Sequence, residues 1–422
     1  MRTILLDAGP IVHFGGSASN LSADFLEHSV FAEGMGIIVD ENIITSIEDS
    51  QSIRDEYSYH GNEPKNENDF SIRSLEGRAV IPGLIDTHTH LLWAGDRSQE
   101  VRWKQEGKSY QDIANLGGGI AHTTHATRLA SPDYLYQLGY ERMRIALRAG
   151  TTHMEVKSGY GLNTETELKL LEVAHRLGQI DHLPSIDSTW LGAHDVPKNS
   201  EKEEYVEHLV SEQLPAVVEQ GFARSADVFC EPGWFTIEDS ERILRASKDE
   251  GLSLRMHIDE FTNGGGGSLA ADLKVQSADH SYHTPMDTRL DMKDAGVITG
   301  FLPGTPYSMG DQWPDMMEIM RQEIPFTLAT DFNPNCQTLS LPFMGSLMVQ
   351  RCGVNPLQAL YSVTRQAAES TPHSTGLAHG RLTKGSIANL NVLDSIHWES
   401  WALKPSHTPF HSTMVEGQLQ VH

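Results

Sequence analysis

His88 and His90 stand two residues apart at the end of an apolar run, Gly83-Leu-Ile-Asp-Thr-His-Thr-His. In an extended strand, residues two apart point to the same side, so both imidazoles face one point. A chain with 21 histidines also places such a pair on a surface or turn by chance, and its meaning depends on what else reaches the same place. Three later segments supply candidates. Met256-His257-Ile258-Asp259-Glu260 and Ser277-Ala-Asp-His280 each close an apolar run on polar side chains, and Thr330-Asp331-Phe332-Asn333-Pro334 closes another. Singly, each reads as an ordinary polar strand end. Together, His88, His90, His257 and Asp331 make a borderline-hard ligand set that suits Zn²⁺ and Fe²⁺/Fe³⁺ alike. A catalytic metal keeps a position for water and lowers its pKa to ~7, which is the chemistry of hydrolysis.

Side chains so far apart in the chain meet only if the fold gathers strand ends. Between residues 81 and 375, short apolar runs alternate with amphipathic stretches. The runs lie at 83–90, 151–160, 184–194, 225–231, 252–260, 277–280, 297–306 and 325–334, and Glu165–His175 and Ser240–Ala246 show helical patterning. Eight strands with intervening helices predict an α/β fold, a (β/α)8 TIM barrel, which builds its active site at the C-terminal strand ends. The polar clusters above fall at those ends. Residues 1–80 and 376–422 carry short alternating runs instead, each too short to stand as a sheet alone. Both termini are therefore expected to pair into one small β-sandwich domain, with the polar stretch 54–68 as an exposed loop.

Composition narrows the partners. Asp and Glu outnumber Lys and Arg by 57 to 32, a formal net charge of -25, which argues against nucleic acid and anionic membranes. No apolar stretch reaches the ~18 residues a membrane span requires. The N-terminus is too acidic, and its apolar run too short, for a secretory signal. Cys230, Cys336 and Cys352 are odd in number and far apart, so no disulfide framework is implied and a cytoplasmic setting is expected.

Ile81-Pro-Gly-Leu-Ile-Asp-Thr-His-Thr-His resembles the opening signature of the amidohydrolase superfamily. Further blocks, in order, resemble one branch of it, the ring-opening hydrolases of histidine degradation. They are Ala94-Gly-Asp-Arg97, Gly117-Gly-Gly-Ile, Lys157-Ser-Gly-Tyr160-Gly-Leu, Leu191-Gly-Ala-His194, Asp227-Val-Phe-Cys-Glu231, Ser277-Ala-Asp-His280 and Thr330-Asp-Phe-Asn-Pro334. The resemblance implies one zinc or iron ion on His88, His90, His257 and Asp331, a small-molecule substrate and a homodimer. It implies hydrolysis of 4-imidazolone-5-propanoate to N-formimino-L-glutamate. It places Arg97, Tyr110, Tyr160, His194, Glu260, Asn333, Asn335 and Cys336 on the substrate. Catalysis then falls to Asp331, which takes a proton from water, to Glu260, which passes one to the leaving nitrogen, and to His280 or His194 facing the oxyanion.

Several residues carry weight apart from the resemblance. Arg97 offers a fork of donors to a carboxylate, although a loop arginine is more often a solvated charge. Asn335 stands where that branch has glycine, so a side chain there narrows the pocket or adds a hydrogen bond. Gly264–Gly267 lacks the Lys-Ser/Thr of a phosphate loop and reads as a flexible or closely approached turn. Lys157 ends the second strand, whereas two-metal relatives carry a modified lysine on the fourth, where Glu231 stands here; one metal is expected. His122 and His125, three apart, read as a solvated helix face. Two other functions fit the same outline. A deaminase of another small heterocycle would release ammonia, and a non-catalytic barrel serving as a binding module would lack stoichiometric metal.

Overall fold

The computed structural model describes residues 1–16, 25–26, 28–59, 65–66, 70–108, 112–113, 116–198, 200–310 and 313–422, with 65–66 by backbone alone. The apolar runs of the central zone form one parallel sheet of eight strands: Leu84–Asp86, Thr151–Lys157, Ser185–Ala193, Ser225–Cys230, Ser253–Ile258, Ser277–His280, Ile298–Phe301 and Phe326–Leu328. Each of the eight expected runs contains one of them, and neighbours in sequence are neighbours in the sheet. Such strands are covered on both faces, which is why Ser225–Cys230 is buried at every position. The helices between them show the complementary pattern. Ile237–Asp249 opens with a capping box between Thr236 and Asp239 and buries Ser240, Ile243, Leu244 and Ser247, one stripe of the helix.

The sheet closes at the far ends of its first and last strands. His90 N donates to Phe332 O at 2.9 Å and Asp331 N donates to His88 O at 3.1 Å. Thr89 and Phe332 form a parallel bridge between these segments. A (β/α)8 barrel results. Regular pairing of the first strand stops at Asp86, so His88 and His90 lie in its extended continuation, held there by the seam with the eighth.

The chain ends meet in one sheet. Val80–Pro82 pairs antiparallel with Leu390–Leu393, which pairs with Phe410–Val415 and so with Gln418–Val421. Ile11–Val12 and Val30–Phe31 complete this six-stranded sheet. A second sheet runs in the order Ile43–Asp49, Met35–Asp40, Arg2–Ala8, Phe70–Ser74, Lys65–Asn66. Leu5, Ile37 and Ile44 of this sheet share an apolar cluster with Val80, Leu390 and Met414 of the other, the core of a small sandwich. Gly83 alone separates its last N-terminal strand from the first barrel strand, and a Cβ there would meet Thr152 Oγ1 at 2.3 Å.

One expectation is corrected. The stretch 54–68 does not begin as a loop, because the helix Ser50–Glu56 runs into it. Asp49 caps that helix by accepting from Ser52 N, and Ile53 anchors it against Ile4 and Ile72. A single apolar anchor in a polar surface helix leaves little periodicity to read. Residues 60–64 and 67–68 of the same stretch lie outside the described residues.

Under the barrel, His153 of the second strand packs with His379 and His373 at ring-centroid distances of 4.9 and 5.5 Å. His379 Nε2 donates to Thr371 O at 3.0 Å, and His153 Nδ1 lies 2.8 Å from Ser185 Oγ. Burial, reinforced by His373, pushes His379 down to about 3 from 6.5. The unfolded chain therefore binds a proton below 6.5 that the folded chain refuses, so stability is full above that pH and falls as pH drops toward 3. Replacing His379 by Asn is expected to flatten the acid limb of stability against pH, by at most ~1.4 kcal/mol per pH unit. Urea unfolding of both proteins between neutral and mildly acid pH measures this; parallel curves would exclude His379 as a source of acid sensitivity.

Candidate active site

Strand ends place the expected metal ligands within reach of one another. His257 Nε2 lies 3.5 Å from His90 Nε2. Asp331 Oδ1 lies 3.7 Å from both His88 Nε2 and His90 Nε2. Ligands ~2.1 Å from an ion in tetrahedral array are ~3.4 Å apart, so the spacing fits a single ion. His88, His90 and His257 form one group able to hold a metal, and His88, His280 and Asp331 a second that overlaps it. His88 Nε2 is buried without a hydrogen-bond partner among the described residues, as a nitrogen reserved for a metal would be. Burial holds His88, His90 and His280 well below the usual histidine range, so each presents a neutral imidazole.

Two carboxylates behind the site set the ring orientations. Asp279 Oδ2 lies 2.7 Å from His88 Nδ1, and Asp227 Oδ1 lies 3.1 Å from His257 Nδ1. A carboxylate accepting from Nδ1–H fixes the proton there and leaves the Nε2 lone pair for the ion. Asp227 is itself paired with Lys157 Nζ at 2.8 Å, and Lys157 with Glu155 at 2.9 Å, all of them buried. Burial alone would raise the Asp227 pKa, but His257 and Lys157 bring it far below the usual carboxylate range. Lys157 is thus a counter-ion beneath the site. Asp331 accepts from Thr305 Oγ1 at 3.0 Å, and its φ of 49° turns the chain sharply after the eighth strand. Gly300 makes room for this layer, because a Cβ there would meet Asp279 Oδ1 at 2.1 Å.

Above the cluster is an open-mouthed cavity of about 90 Å³. Its lining includes His90, His257 and Asp331, and also Arg97, Tyr160, His194, Glu260, His280, Asn333, Asn335 and Cys336. His88 lies deeper and is fully buried. Tyr110 is outside the described residues. Phe229, Trp234 and Phe261 make an aromatic wall, with centroid separations of 4.9 Å and 5.7 Å along it. Arg97 is not a solvated charge; it is buried and forked onto Glu100. Glu260 Oε2 lies 3.7 Å from His280 Nε2. Glu231 accepts from the backbone of Glu260, Phe261 and Thr262, so it shapes the loop that carries Glu260. The glycine turn at 264–267 is closely approached: Asp259 Oδ1 accepts from Gly264 N, and a Cβ on Gly266 would meet Ile258 Cγ2 at 2.7 Å.

One expected role changes. His194 Nδ1 sits 2.9 Å from Gly159 O, which can only accept, so Nδ1 carries the proton. Burial, with His257, lowers its pKa to about 4, and the neutral ring offers Nε2 as an acceptor. A donor to an oxyanion is therefore not available from His194. Its near-parallel stacking on His90, at 5.0 Å, keeps it at the rim of the cluster. Asp227, Asp279, Thr305 and Glu100 had no expected role. The detectable signal for the first two was an acid in the middle of a buried strand, in each case after Ser-Ala.

A barrel of this kind with a His/Asp cluster at its mouth defines a metal-dependent hydrolase, and known proteins agree. The chain belongs to the amidohydrolase family, whose profile matches residues 79–419. Its curated relatives include proteins named imidazolonepropionase. That of Haloarcula marismortui is 42% identical over 318 residues, covering 75% of each chain. That of Clostridium tetani is 33% identical over 410 residues, covering 96% of this chain and 94% of its own. Among solved structures, E. coli guanine deaminase superposes with a TM-score of 0.69 at 12% identity, covering 100% of this chain and 99% of its own. The 5-methylcytosine deaminase of Klebsiella pneumoniae gives 0.70 at 14%, covering 99% and 97%. These last two share the fold.

The carboxylate behind His88 can be tested directly. Asp279→Asn is expected to weaken metal affinity ~10–100-fold, the usual cost of losing a ligand's outer partner. Competition against a chelator, with circular dichroism confirming the fold, reads this. Unchanged affinity would show that Asp279 does not orient His88.

Proposed function

We propose that the chain hydrolyses 4-imidazolone-5-propanoate to N-formimino-L-glutamate, opening the ring amide. What carries the reading is the run of imidazolonepropionase relatives at 33–42% identity, joined to a cavity whose floor is a His/Asp cluster of single-ion spacing. His88, His90, His257 and Asp331 would hold one zinc or iron ion, which supplies Lewis acidity and a water of lowered pKa.

The chain's own groups do the rest. Asp331 accepts the proton of the attacking water, its other oxygen kept in place by Thr305. The water oxygen bonds to the ring carbonyl carbon, the carbon–nitrogen bond breaks, and Glu260 passes the proton that Asp331 took up on to the departing nitrogen. His280 is the group at the site that donates to the carbonyl oxygen as it gains charge. His194 Nε2 accepts from a ring N–H instead, which fixes the ring face. Phe229 and its aromatic neighbours shield a flat heterocycle from water. Arg97, with Tyr160 and Tyr110, anchors the propanoate, and Asn333, Asn335 and Cys336 complete that end.

In this scheme residues 81–375 are the catalytic barrel, while 1–80 and 376–422 are the two parts of the small β domain. The working form is a cytoplasmic homodimer acting on a small molecule, with no nucleic acid or membrane partner. Among the described residues no helix is long and apolar enough to cross a membrane, and the three cysteines are free.

Loss of the ultraviolet absorbance of freshly made imidazolonepropanoate tests the reaction, with metal analysis of the same sample. Ring opening without ammonia is expected; ammonia at the first turnover would indicate a deaminase. His257→Ala should lose both bound metal and activity, and an active metal-free variant would overturn the scheme. Arg97→Ala should raise KM by ~10–100-fold, the loss of a charge-assisted pair. An unaltered KM would remove Arg97 as the anchor.

A further inference from the structure

Glu100 has no part in the chemistry above, yet it is a buried carboxylate held against Arg97, which lines the cavity. Burying such a charge is costly unless it is paired and hydrogen-bonded. Glu100 is both. It accepts from Arg97 Nε at 2.8 Å, from Arg97 Nη2 at 2.9 Å and from Gly119 N at 2.8 Å. The side-on fork fixes the plane of the guanidinium. The Gly119 bond ties the pair to the start of the helix Gly119–Leu129, and Gly118 leaves the space, since a Cβ there would meet Glu100 Oε1 at 2.7 Å.

The guanidinium is also held from the other side. Arg97 Nη2 donates to Asn335 Oδ1 at 3.0 Å. Asn335 N donates to Asn333 Oδ1 at 2.7 Å, and Asn333 Nδ2 to Asp331 O at 2.7 Å. A short chain of hydrogen bonds thus links the cation to the residue that closes the metal cluster. With its oxygen accepting from Arg97, the Asn335 amide keeps its two N–H donors for a ligand.

We infer that Glu100 and Asn335 are positioning residues that seat the Arg97 guanidinium at a set distance from Asp331, with the Asn335 amide as an added donor. The cavity then selects a ring whose side arm ends in a carboxylate at one particular reach. The inference rests on Arg97 being the carboxylate anchor proposed above. A rigid seat predicts sharp discrimination by arm length, because a carboxylate one methylene short cannot meet both donors while the ring stays over the cluster.

The test is calorimetric titration of the metal-loaded wild type, Glu100→Gln and Asn335→Gly with three unreactive probes: imidazole-4-propanoate, imidazole-4-acetate and the methyl ester of the first. Gln at 100 keeps the shape and an acceptor for Gly119 N while removing the charge. Wild type should bind the propanoate roughly tenfold or more tighter than the other two. Both variants should lose most of that preference while binding the ester as wild type does. In Glu100→Gln, KM for 4-imidazolone-5-propanoate should rise while kcat stays nearly constant. Equal binding of all probes by wild type, unchanged preference in the variants, or a parallel loss on all three probes would each overturn the seat. Intact arm-length preference in a wild type that turns over no imidazolonepropanoate would fault the reaction and leave the seat standing.

Discussion

The two backbone hydrogen bonds at the barrel seam, His90 N to Phe332 O and Asp331 N to His88 O, join segments from opposite ends of the barrel's sequence. They satisfy main-chain groups that a closed sheet must pair. They also bring two histidines and the aspartate into register without any side-chain contact having to do so. The ligand spacing is therefore a property of how the sheet closes. Everything else at the site, from Thr305 on Asp331 to the chain through Asn333 and Asn335, refines a position that the seam has already set.

Beneath the seam, the barrel interior departs from the usual filling of branched apolar side chains. Lys157 is buried between Glu155 and Asp227, and Arg255 reaches Ser277 Oγ at 3.0 Å and Asp187 at 3.5 Å. Buried ions of this kind rarely add stability over apolar packing, because desolvation cancels much of the attraction. Their return here is direction. Asp227 stays ionised despite its burial because His257 and Lys157 both lie against it, and an ionised Asp227 keeps the His257 ring turned with Nε2 toward the cluster. The scaffold spends stability on the orientation of a ligand, a cost borne away from the substrate.

Most of this architecture is readable from the chain. The eight strands show as apolar runs because both faces of a parallel sheet are covered, and His88, His257, His280 and Asp331 show as the polar residues that end them. Asp227 and Asp279 are harder, since one polar residue inside a run carries no hint of which side it faces or what lies across the barrel. The Arg97–Glu100 pair, three residues apart, looks like any surface pair until burial is known. Tautomers are not legible at all. The proton on His194 Nδ1 follows from one carbonyl, Gly159 O, that no spacing rule would have placed beside it. The helix Ser50–Glu56 was hidden for a different reason, because Ile53 is its only apolar anchor.

The pairing of Val80–Pro82 with Leu390–Leu393 has a consequence for the order in which the protein is made. The strand that leads directly into His88 and His90 meets Ile11 on one side, but its other neighbour comes only after roughly 300 further residues have been synthesised, a contact of very high sequence separation. Until then Val80–Pro82 is paired on one side only, and the ribosome holds a nearly complete barrel whose leading strand has one open edge. Full pairing of the strand that precedes the metal-binding end thus waits on Leu390–Leu393. A chain cut short before Leu390 would lack one of the two neighbours of the strand that leads into its first two histidines, though it carried every one of its catalytic residues.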